Sequence, residues 1–496
     1  MTATLLGIDV GTTSVKAILF DLAGNPLDTY AAPYPTKRTA GGWVEQDADL
    51  WLDHIRRALA RFAAAHDLAD LRAVGLTSQV NTHVFVGADG KALAPAIVWQ
   101  DARCGDEAAE LERQIDESDK MHWWEAPRPL DASHCLSRIV WMQRHRPEIW
   151  EKTRWVMQPK DYCVLGLTGE AVGDPVSHNG ILDNRHQPID DLLDLVPGAA
   201  ERMVPVAPMT GVAGTLSAAL PGAGTPVAVG TMDAWAGMFG AGVESNGKAM
   251  YLSGTSEVLG IVSDTIKQTP GVVVFSPCEG LRVHAGPTQA GGASLLWVSR
   301  LFDTTPQALT DSVAGLDFSR SCPLFLPHLQ GERAPLWDAK ARGTFLGVDS
   351  NAGAPEFARA VMEGVACSAE WILRTLETSA QIRPDTLHCG GGGFRSDIWN
   401  QIRADMLDRR LKRLAVTDPG VLGAAGIAAV ATGLLPDLQT AFARIAQFDR
   451  IYEPDPARRE HYSRLVGLYR DAYRAARDVN HRIVDLYADR PSQADG

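Results

Sequence analysis

The sequence predicts an α/β protein built from two similar domains with a cleft between them, and three observations lead to this prediction. Strand-like and helix-like patterns alternate along the chain. Two predicted β-hairpins with similar sequence patterns, at residues 5–21 and 250–264, begin the two halves of the chain. The chain has 496 residues, more than one hydrophobic core usually supports. We therefore expect domains at residues 1–244 and 245–496, joined in the flexible segment "GAGVESNG".

An aspartate lies at the end of the first apolar strand. In "LLGIDVGTTSVKAILFD" the apolar run reaches Asp9 and then turns through Gly11, Thr12 and Thr13 into a second apolar run. A buried carboxylate is costly unless it is paired or binds a metal. The turn residues offer backbone N–H groups and hydroxyls that suit phosphate oxygens. The alternative is a plain β-hairpin with an Asx-type turn, which this stretch alone does not exclude.

The second hairpin repeats the turn but not the aspartate. In "MYLSGTSEVLGIVSD" the Gly254-Thr255 turn takes the place of the first turn, and Leu252 stands where the first copy has Asp9. A repeated sequence pattern of this kind indicates a duplicated supersecondary unit.

The remaining elements follow from hydrophobic periodicity and from turn residues. An amphipathic helix begins after a polar cap region around Asp47, and three strands with a turn at Asp89-Gly90 occupy residues 71–99. Further predicted elements are helices at 133–152 and 157–168, a strand at 226–229 before a helix of small residues, a strand–glycine–helix unit at 387–407, and a packing helix at 457–486 that carries Tyr462, Leu465, Leu468, Tyr469 and Tyr473.

Composition and charge exclude several classes of protein. The formal net charge of −13 argues against nucleic acid or an anionic membrane as the main partner. No signal-peptide pattern and no apolar run of about 18 residues is present. The seven cysteines are scattered and never form CxxC, as is typical of free thiols in a reducing cytosol. We expect a cytoplasmic protein, with the oligomeric state open and a homodimer as one expectation.

Two further features point to a nucleotide and an acceptor. The chain has no GxxxxGK[ST] motif, and the run Gly390–Gly393 does not complete GxGxxG. That run lets a backbone approach a base or a phosphate, or else it is a tight turn that needs positive φ. Asp233 follows an apolar strand and opens a helix, so it is either an N-cap or a second functional carboxylate. Together with Asp9 it favours phosphoryl transfer, which needs positioning, a metal and a base.

With these residues in place, the chain resembles the FGGY carbohydrate kinases of the actin/hexokinase/heat-shock-chaperone ATPase superfamily. The resemblance runs from about residue 5 to residue 473 and rests on ordered motifs, among them "GIDVGTTSVKA", "WQDAR", "DAWAG", "SGTSE", "ERAPLWDAKARG", "GGGG…WNQIRADML" and "DPGVLGAAGIA". It implies two duplicated actin-like (ribonuclease H-like) domains with an interdomain cleft. It also implies ATP, Mg²⁺ and a small sugar as the ligands.

The resemblance assigns roles to individual residues. Asp9 matches the aspartate that organises Mg²⁺ and phosphate, and Asp233 matches the general base toward the sugar hydroxyl. The positions that match nucleotide-binding loops are Gly11, Thr12, Thr13, Gly254, Thr255, Gly292, Gly391 and Gly392. The positions that match the sugar-binding loop and its neighbouring strand end are Gln79, Val80, Asn81, Trp99, Asp101 and Arg103, with Asp233 beside them.

The sugar loop departs from the family's common patterns. Many similar xylulokinases read Gln-Met-His-Gly and glycerol kinases read Gln-Arg-Glu-Thr, whereas this chain continues from Gln79 with Val80-Asn81-Thr82. Ala234 also stands where an amide side chain is frequent. A site that lacks a donor for a given hydroxyl discriminates against the sugar that carries it.

The leading hypothesis is an ATP-dependent kinase of the xylulokinase-like branch, acting on a primary hydroxyl of a ketopentose or a related polyol. The alternatives are a kinase of the same fold for ribulose, erythritol, fuculose or gluconate, and a non-catalytic ATP-binding switch. Asp233 and the "ERAP…ARG" segment at 332–343 favour the kinases over the switch.

Overall fold

The alternating patterns give the strands and helices expected of an α/β chain. The computed structural model describes residues 3–39 and 42–488. The strands, numbered along the chain, are β1 Thr4–Val10, β2 Ser14–Asp21, β3 Pro26–Pro33, β4 Lys37–Arg38, β5 Val44–Gln46, β6 Leu71–Ser78, β7 Val84–Gly87, β8 Ala96–Ile97, β9 Thr153–Met157, β10 Val212–Thr215, β11 Pro226–Ala228, β12 Thr231–Met232, β13 Ala249–Ser253, β14 Glu257–Val262, β15 Val273–Val274, β16 Val283–Thr288, β17 Leu324–Leu326, β18 Thr344–Leu346, β19 Thr386–Gly390, β20 Arg410–Leu414 and β21 Phe448–Tyr452.

The α-helices lie between and after these strands. They are α1 Ala48–Ala65, α2 Gly105–Glu112, α3 Glu117–Trp124, α4 Cys135–His145, α5 Pro147–Trp150, α6 Pro159–Thr168, α7 Asp190–Leu193, α8 Asp233–Gly240, α9 Gly292–Leu301, α10 Pro306–Ala314, α11 Ala354–Ala380, α12 Asp397–Leu407, α13 Pro419–Ala431, α14 Leu438–Ile445 and α15 Arg459–Ala488.

The described chain divides into two compact units. The first contains the residues up to Glu244 together with Ser276–Gly280 and Asp418–Gln447. The second contains Ser245–Phe275, Leu281–Thr417 and the described residues from Phe448 onward. Each unit is an α/β domain, which confirms the predicted fold class; the domain boundaries at 1–244 and 245–496 stay a prediction.

The first unit is built on a seven-stranded mixed sheet in the order β10-β11-β6-β1-β2-β3, with β12 paired to β6. The hairpin strands β1 and β2 are antiparallel, and β1 is parallel to β6. Nearly every residue of β1 is buried, as expected of a central strand whose two faces are covered. A second apolar cluster of this unit packs α2–α5 and α7 against β7–β9.

Helix α13 joins the first unit because small residues let its backbone approach the sheet. It is apolar on all sides and packs on β1, β6 and α8. A Cβ atom on Gly7 would lie 2.1 Å from the Val421 carbonyl oxygen, and one on Gly75 would lie 1.9 Å from that of Ala424. No other residue type fits at these two positions without moving the helix.

The second unit repeats the arrangement of the first. Its seven-stranded sheet runs β15-β16-β14-β13-β19-β20-β21. The hairpin strands β13 and β14 are antiparallel, and β13 is parallel to β19, as β1 is to β6. The long helices α11 and α15 supply most of one apolar core, in which Tyr462, Tyr469 and Tyr473 are buried.

Two helix predictions need correction. The helix expected over 133–152 is two helices, because Pro147 begins α5 and Arg146 before it leaves the helical conformation. In α15, Leu468 does not pack with the buried tyrosines: it is 60% exposed, since its position falls outside the apolar stripe.

Candidate functional site

The candidate functional side chains of the first unit meet at one edge of its sheet. Strands β1, β6 and β12 are parallel, so their carboxyl ends lie together: Val10 and Met232 both pair with Ser78. Asp9 lies at the end of β1, Gln79 directly follows β6, and Asp233 directly follows β12. In open α/β sheets this edge is where ligands bind.

Asp9 is held in a charged environment without a complete set of partners. The residue is half-buried, and its Oδ1 is shielded from solvent and has no hydrogen-bond partner in the described part of the chain. Burial, together with the charges of Asp233 and Asp418, raises the pKa of Asp9 to about 7, although Lys16 opposes the shift. Lys16 forms an ion pair with Asp418. A cation beside Asp9 would relieve this excess of negative charge.

Hydrogen bonds to its backbone carbonyl groups hold the Gly11-Thr12-Thr13 turn in place. The Gly11 N–H donates to the Ser14 carbonyl over 3.1 Å, which closes the turn. The Tyr34 hydroxyl donates to the Gly11 carbonyl, and the Tyr34 N–H donates to the Thr13 carbonyl over 3.2 Å. The turn is therefore rigid, and the Thr13 side chain is exposed.

Asp233 begins α8 and is exposed to solvent. Its Oδ1 accepts a hydrogen bond of 2.7 Å from the Ala234 N–H, and the N-cap of the helix is Met232. Asp233 is therefore a first-turn residue, not the N-cap that was one reading of its position. Its accessibility and its place beside Asp9 suit a group that accepts a proton from a bound hydroxyl.

A buried ionic cluster supports the strand that leads to Asp233. Lys160 Nζ lies 2.7 Å from Asp161 Oδ1 and 3.3 Å from Asp174 Oδ1, and His178 Nε2 lies 2.8 Å from Asp161 Oδ2. The Thr231 hydroxyl donates to Asp174 Oδ2 over 2.8 Å. Burial raises the pKa of Asp161, but Lys160 and His178 lower it to about 2. The segment "PKDY" at residues 159–162, another motif that the chain shares with the FGGY pattern, contains Lys160 and Asp161 and is the only sequence signal for this cluster.

The sugar loop has one buried residue and one exposed residue. Gln79 is 2% exposed, and its amide donates to Gln46 Oε1 over 2.8 Å and accepts from the Thr82 hydroxyl over 3.2 Å. Asn81 is exposed and adopts a left-handed φ of 56°. Val80 lies between them and is half-buried. The side chain of Asn81 is thus the one of the three most accessible to a ligand.

A fully buried arginine shapes this loop and was missed by the sequence reasoning. Arg138 donates to the carbonyl oxygens of Asn81, Ile97 and Val98, the last two over 2.6 and 2.7 Å. Its Nη1 also lies 3.0 Å from His83 Nδ1, and burial and Arg138 hold the pKa of His83 well below its usual value. The available signal was the position of Arg138 on the apolar stripe of α4.

Asp101 and Arg103 bind each other. Arg103 donates through Nε and Nη2 to the two oxygens of Asp101, over 2.9 and 2.7 Å, and lies 3.0 Å from Glu45 Oε1. Its guanidinium also stacks on Trp43 at 4.0 Å, and Asp101 accepts the Val44 N–H. This pair fixes the strand end after β8; a contact of either residue with a sugar stays a prediction.

In the second unit the Gly254-Thr255 turn is clamped by the start of α9. The Gly292 N–H donates to the Gly254 carbonyl and the Ala293 N–H donates to the Thr255 carbonyl, both over 3.0 Å. A Cβ atom on Gly292 would lie 2.6 Å from the Gly254 carbonyl oxygen. Gly292 is therefore required by close backbone packing, while Gly254 and Thr255 are exposed.

In the glycine run after β19, two glycines lie against the Ser253 segment and one has open space where a side chain would be. Gly391 has a φ of 98°, and a Cβ atom on it would lie 2.3 Å from the Ser253 carbonyl oxygen. A Cβ atom on Gly393 would lie 2.0 Å from Ser253 Oγ. A Cβ atom on Gly392 would meet nothing within 4 Å among the described atoms. Gly392 leaves a bare backbone surface that a flat base or a phosphate can approach.

A buried carboxylate–guanidinium pair joins the two glycine-containing loops of the second unit. Glu257 accepts from the Tyr251 hydroxyl over 2.6 Å, from Ser253 Oγ over 2.7 Å and from Arg403 Nη2 over 2.6 Å. Arg403 also donates to the Gly393 carbonyl over 2.8 Å. Glu257 and Arg403 both stand in motifs quoted above, but nothing in the sequence indicated that they pair.

Within residues 3–39 and 42–488, no group of three or more His, Cys, Asp or Glu side chains is arranged to hold a metal ion. All seven cysteines are free. None of the helices in this part of the chain has the length and apolar character that a membrane span requires.

Comparison with protein-family models gives two consecutive matches. Residues 4–240 match the N-terminal domain of the FGGY family of carbohydrate kinases, and residues 249–432 match the C-terminal domain of the same family.

Individual relatives agree with the family models. The chain is 31% identical over 479 residues to the xylulose kinase of Escherichia coli, covering 93% of this chain and 98% of the relative. A gluconate kinase structure from Lactobacillus acidophilus superposes with a TM-score of 0.85 at 25% identity, covering 96% of this chain and 98% of that chain. A xylulose kinase structure from Rhodospirillum rubrum gives a TM-score of 0.83 at 27% identity, with 96% and 100% covered.

Proposed function

The chain belongs to the FGGY family of carbohydrate kinases, and from this premise we propose that it transfers the γ-phosphoryl group of ATP to a primary hydroxyl of a ketopentose related to xylulose. The observation that carries the proposal is the meeting of Asp9 and Asp233 at the carboxyl ends of parallel strands. The similarity to xylulose kinases supports the ketopentose as acceptor.

Asp233 is the proposed general base. It is exposed and lies at the fixed start of α8, so its carboxylate can accept the proton of an acceptor hydroxyl as that oxygen attacks phosphorus. The ionic cluster behind Thr231 holds the backbone that carries it. In phosphoryl transfer such orientation supplies much of the rate enhancement, since little covalent chemistry is required of the protein.

Asp9 is the proposed ligand for Mg²⁺. Its shielded Oδ1 without a hydrogen-bond partner fits a hard cation, which is commonly held by one or two carboxylates together with substrate phosphates. A bound Mg²⁺ would neutralise charge on the transferring phosphoryl group. Lys16 and Asp418 hold the surrounding charges in place.

The two Gly-Thr turns and the glycine run are the proposed contacts for ATP. In the first unit the turn that Gly11 closes offers the N–H groups and hydroxyls of Thr12 and Thr13 to phosphate oxygens. In the second unit the exposed Gly254-Thr255 turn offers the N–H group and hydroxyl of Thr255, while the Gly254 N–H donates to the Ser256 carbonyl over 2.9 Å, and the bare backbone of Gly392 suits the base.

Gluconate is the second candidate acceptor, because a gluconate kinase structure superposes on nearly the whole chain. The Gln79-Val80-Asn81 loop lacks the histidine of many xylulokinases and the Arg-Glu pair of glycerol kinases, so it does not favour either of those substrates outright. The accessible Asn81 amide can donate to a hydroxyl or to a carboxylate.

A coupled ADP-release assay tests the proposal. The wild type is compared over D-xylulose, D-ribulose, L-fuculose, erythritol, glycerol and D-gluconate at saturating Mg²⁺–ATP, with kcat/KM as the measure. We expect the highest value for a ketopentose, and phosphorus NMR of the product then identifies the hydroxyl that is phosphorylated. A highest value for gluconate selects the second candidate. Absence of ADP release with every acceptor would contradict the proposal.

A further inference from the structure

Five residues of the first unit form a closed ring of hydrogen bonds that joins the first hairpin turn to the sugar loop. Gln46 Nε2 donates to the Thr12 carbonyl over 2.7 Å, and Gln79 Nε2 donates to Gln46 Oε1 over 2.8 Å. Thr82 Oγ1 donates to Gln79 Oε1 over 3.2 Å and accepts the Trp99 N–H over 3.1 Å. Trp99 Nε1 donates to Thr12 Oγ1 over 3.1 Å, which closes the ring.

The hydrogen bonds of the ring allow only one assignment of donors and acceptors. The Thr12 carbonyl can only accept, so Gln46 must present its NH₂ group there and its oxygen to Gln79. Gln79 then presents its NH₂ group to Gln46 and its oxygen to the Thr82 hydroxyl. The buried amide of Gln79 is thereby engaged with other protein groups at both ends.

The direction of the ring determines what the Thr12 hydroxyl can do. An indole N–H is a donor only, so the Thr12 oxygen accepts from Trp99. The hydroxyl hydrogen must therefore point elsewhere, and among the described residues no group accepts it. Thr12 is half-buried and its carbonyl accepts from Gln46, so within the described part of the chain its hydroxyl hydrogen is left available to a bound ligand.

We propose that Trp99 and Gln46 are positioning residues that hold the Thr12 hydroxyl as a hydrogen-bond donor to an anionic oxygen of the transferring phosphoryl group. The proposal rests on the proposed kinase function and adds to it a link between the acceptor side and the phosphate side of one unit. The link runs through Gln79 and Trp99, which the resemblance assigns only to the sugar, and through Gln46, to which it assigns no role. Hydrogen bonds to charged oxygens are stronger than neutral ones, so a pre-oriented donor matters most as charge builds up there.

A double-mutant cycle between Thr12→Val and Trp99→Phe tests the proposal. Valine keeps the shape of threonine without the hydroxyl, and phenylalanine keeps a flat ring without the N–H. We expect Thr12→Val to lower kcat about 10- to 100-fold and Trp99→Phe to lower it about 3- to 10-fold. In the Thr12→Val background Trp99→Phe should change kcat less than twofold, because the hydroxyl it orients is gone. The KM for the acceptor should stay within about twofold, and Thr12→Ser should keep most of the activity.

The matched control is Trp124→Phe. Trp124 is buried in the same unit, and its indole N–H donates to the Leu182 carbonyl over 3.0 Å. This variant loses a comparable hydrogen bond away from the ring, so its melting temperature should fall while kcat stays unchanged.

Two results would overturn the inference and are distinguishable from each other. If the wild type phosphorylates an acceptor but the effects of Thr12→Val and Trp99→Phe multiply in the double variant, Trp99 does not act through Thr12, and the kinase function stands. If the wild type neither phosphorylates any acceptor nor binds ATP in a calorimetric titration, the proposed function and the inference fail together.

Discussion

The two hairpins of this protein have the same strand arrangement, but their carboxylates differ in hydrogen bonding. In the first, Asp9 is the penultimate residue of β1, and one of its oxygens is shielded from solvent and has no hydrogen-bond partner in the described chain. In the second, Leu252 takes that place, and the carboxylate is Glu257 at the start of β14, where Tyr251 and Arg403 bind it. The carboxylate of the first hairpin has an oxygen left for a ligand, whereas the carboxylate of the second hairpin is bonded to neighbouring side chains and holds the loops of its own unit together.

The difference indicates that the two copies of the duplicated unit have different roles: the first supplies reactive groups, and the second supplies a backbone surface of defined shape. The surface that the second unit offers is backbone, in the open glycine Gly392 and in the exposed Gly254-Thr255 turn. The first unit adds two carboxylates, Asp9 and Asp233, to the backbone and hydroxyls of its own Gly11-Thr12-Thr13 turn. Substitutions in the first region should therefore affect turnover more than stability, and those in the second region should affect stability or affinity more than turnover.

The largest expected effect is that of Asp233→Asn. Asparagine keeps the shape and can still interact with the start of α8, but it cannot accept the acceptor proton. We expect kcat to fall about 100- to 10,000-fold, while ADP affinity and melting temperature hold. Steady-state kinetics, calorimetry and thermal unfolding measure the three quantities.

The matched control is Asp106→Asn, because Asp106 is another exposed aspartate in the first turn of a helix, α2. Its substitution should leave kcat unchanged. Preserved turnover in Asp233→Asn would reduce Asp233 to a residue that only stabilises the helix start.

The next effect is a loss of stability in Glu257→Gln. Glutamine leaves the Arg403 guanidinium, whose side chain is fully buried, without a compensating charge. Breaking a buried pair in this way costs about 3–5 kcal/mol in the free energy of unfolding. Urea denaturation followed by circular dichroism measures it; a midpoint equal to that of the wild type would show that Glu257 is not the support we infer. Replacing both partners, in a Glu257→Leu and Arg403→Leu double variant, should cost less than their single effects added together.

Asp9→Asn should lower turnover and raise stability, the opposite of Glu257→Gln. Turnover should fall about 100-fold or more, because the proposed ligand for Mg²⁺ is weakened. The free energy of unfolding without nucleotide or divalent cation should increase by about 1 kcal/mol, because removal of the charge relieves repulsion from Asp233 and Asp418.

A second aspartate of the same hairpin provides the control. Burial raises the pKa of Asp21, but the Asn25 side-chain amide and the Asn25 and Ala23 N–H groups donate to it over 2.9, 2.9 and 2.8 Å and lower that pKa below its usual value. Asp21→Asn should therefore lower stability slightly and leave turnover intact. Lower stability in Asp9→Asn would mean that the Asp9 carboxylate is satisfied within the protein.

The sequence was sufficient for features that depend on local pattern. An apolar run that reaches an aspartate marked the end of β1, and the repeated hairpin sequence predicted two α/β domains. The strand expected at 226–229 is β11, Pro226–Ala228, whereas the two-residue strand β12 before Asp233 was not predicted. It was insufficient for partners far apart in the chain: Arg403 and Glu257 are separated by 146 positions, and neither has a local signal for the other. Gln79 shows the same limit, because a motif assigned it to the sugar whereas its burial and bonding are set by the folded chain.

The smallest expected effect concerns the glycine run, where two neighbouring residues separate packing from binding. Gly391→Ala places a Cβ atom 2.3 Å from the Ser253 carbonyl at a φ of 98°, so it should destabilise the protein by about 1–3 kcal/mol. Gly392→Ala meets nothing within 4 Å among the described atoms, so its free energy of unfolding should change by less than about 0.5 kcal/mol. If the open backbone of Gly392 receives the nucleotide, that methyl group should nevertheless weaken ADP binding about 3- to 10-fold in calorimetry. Unchanged ADP affinity in Gly392→Ala would show that the open backbone of Gly392 does not receive the nucleotide.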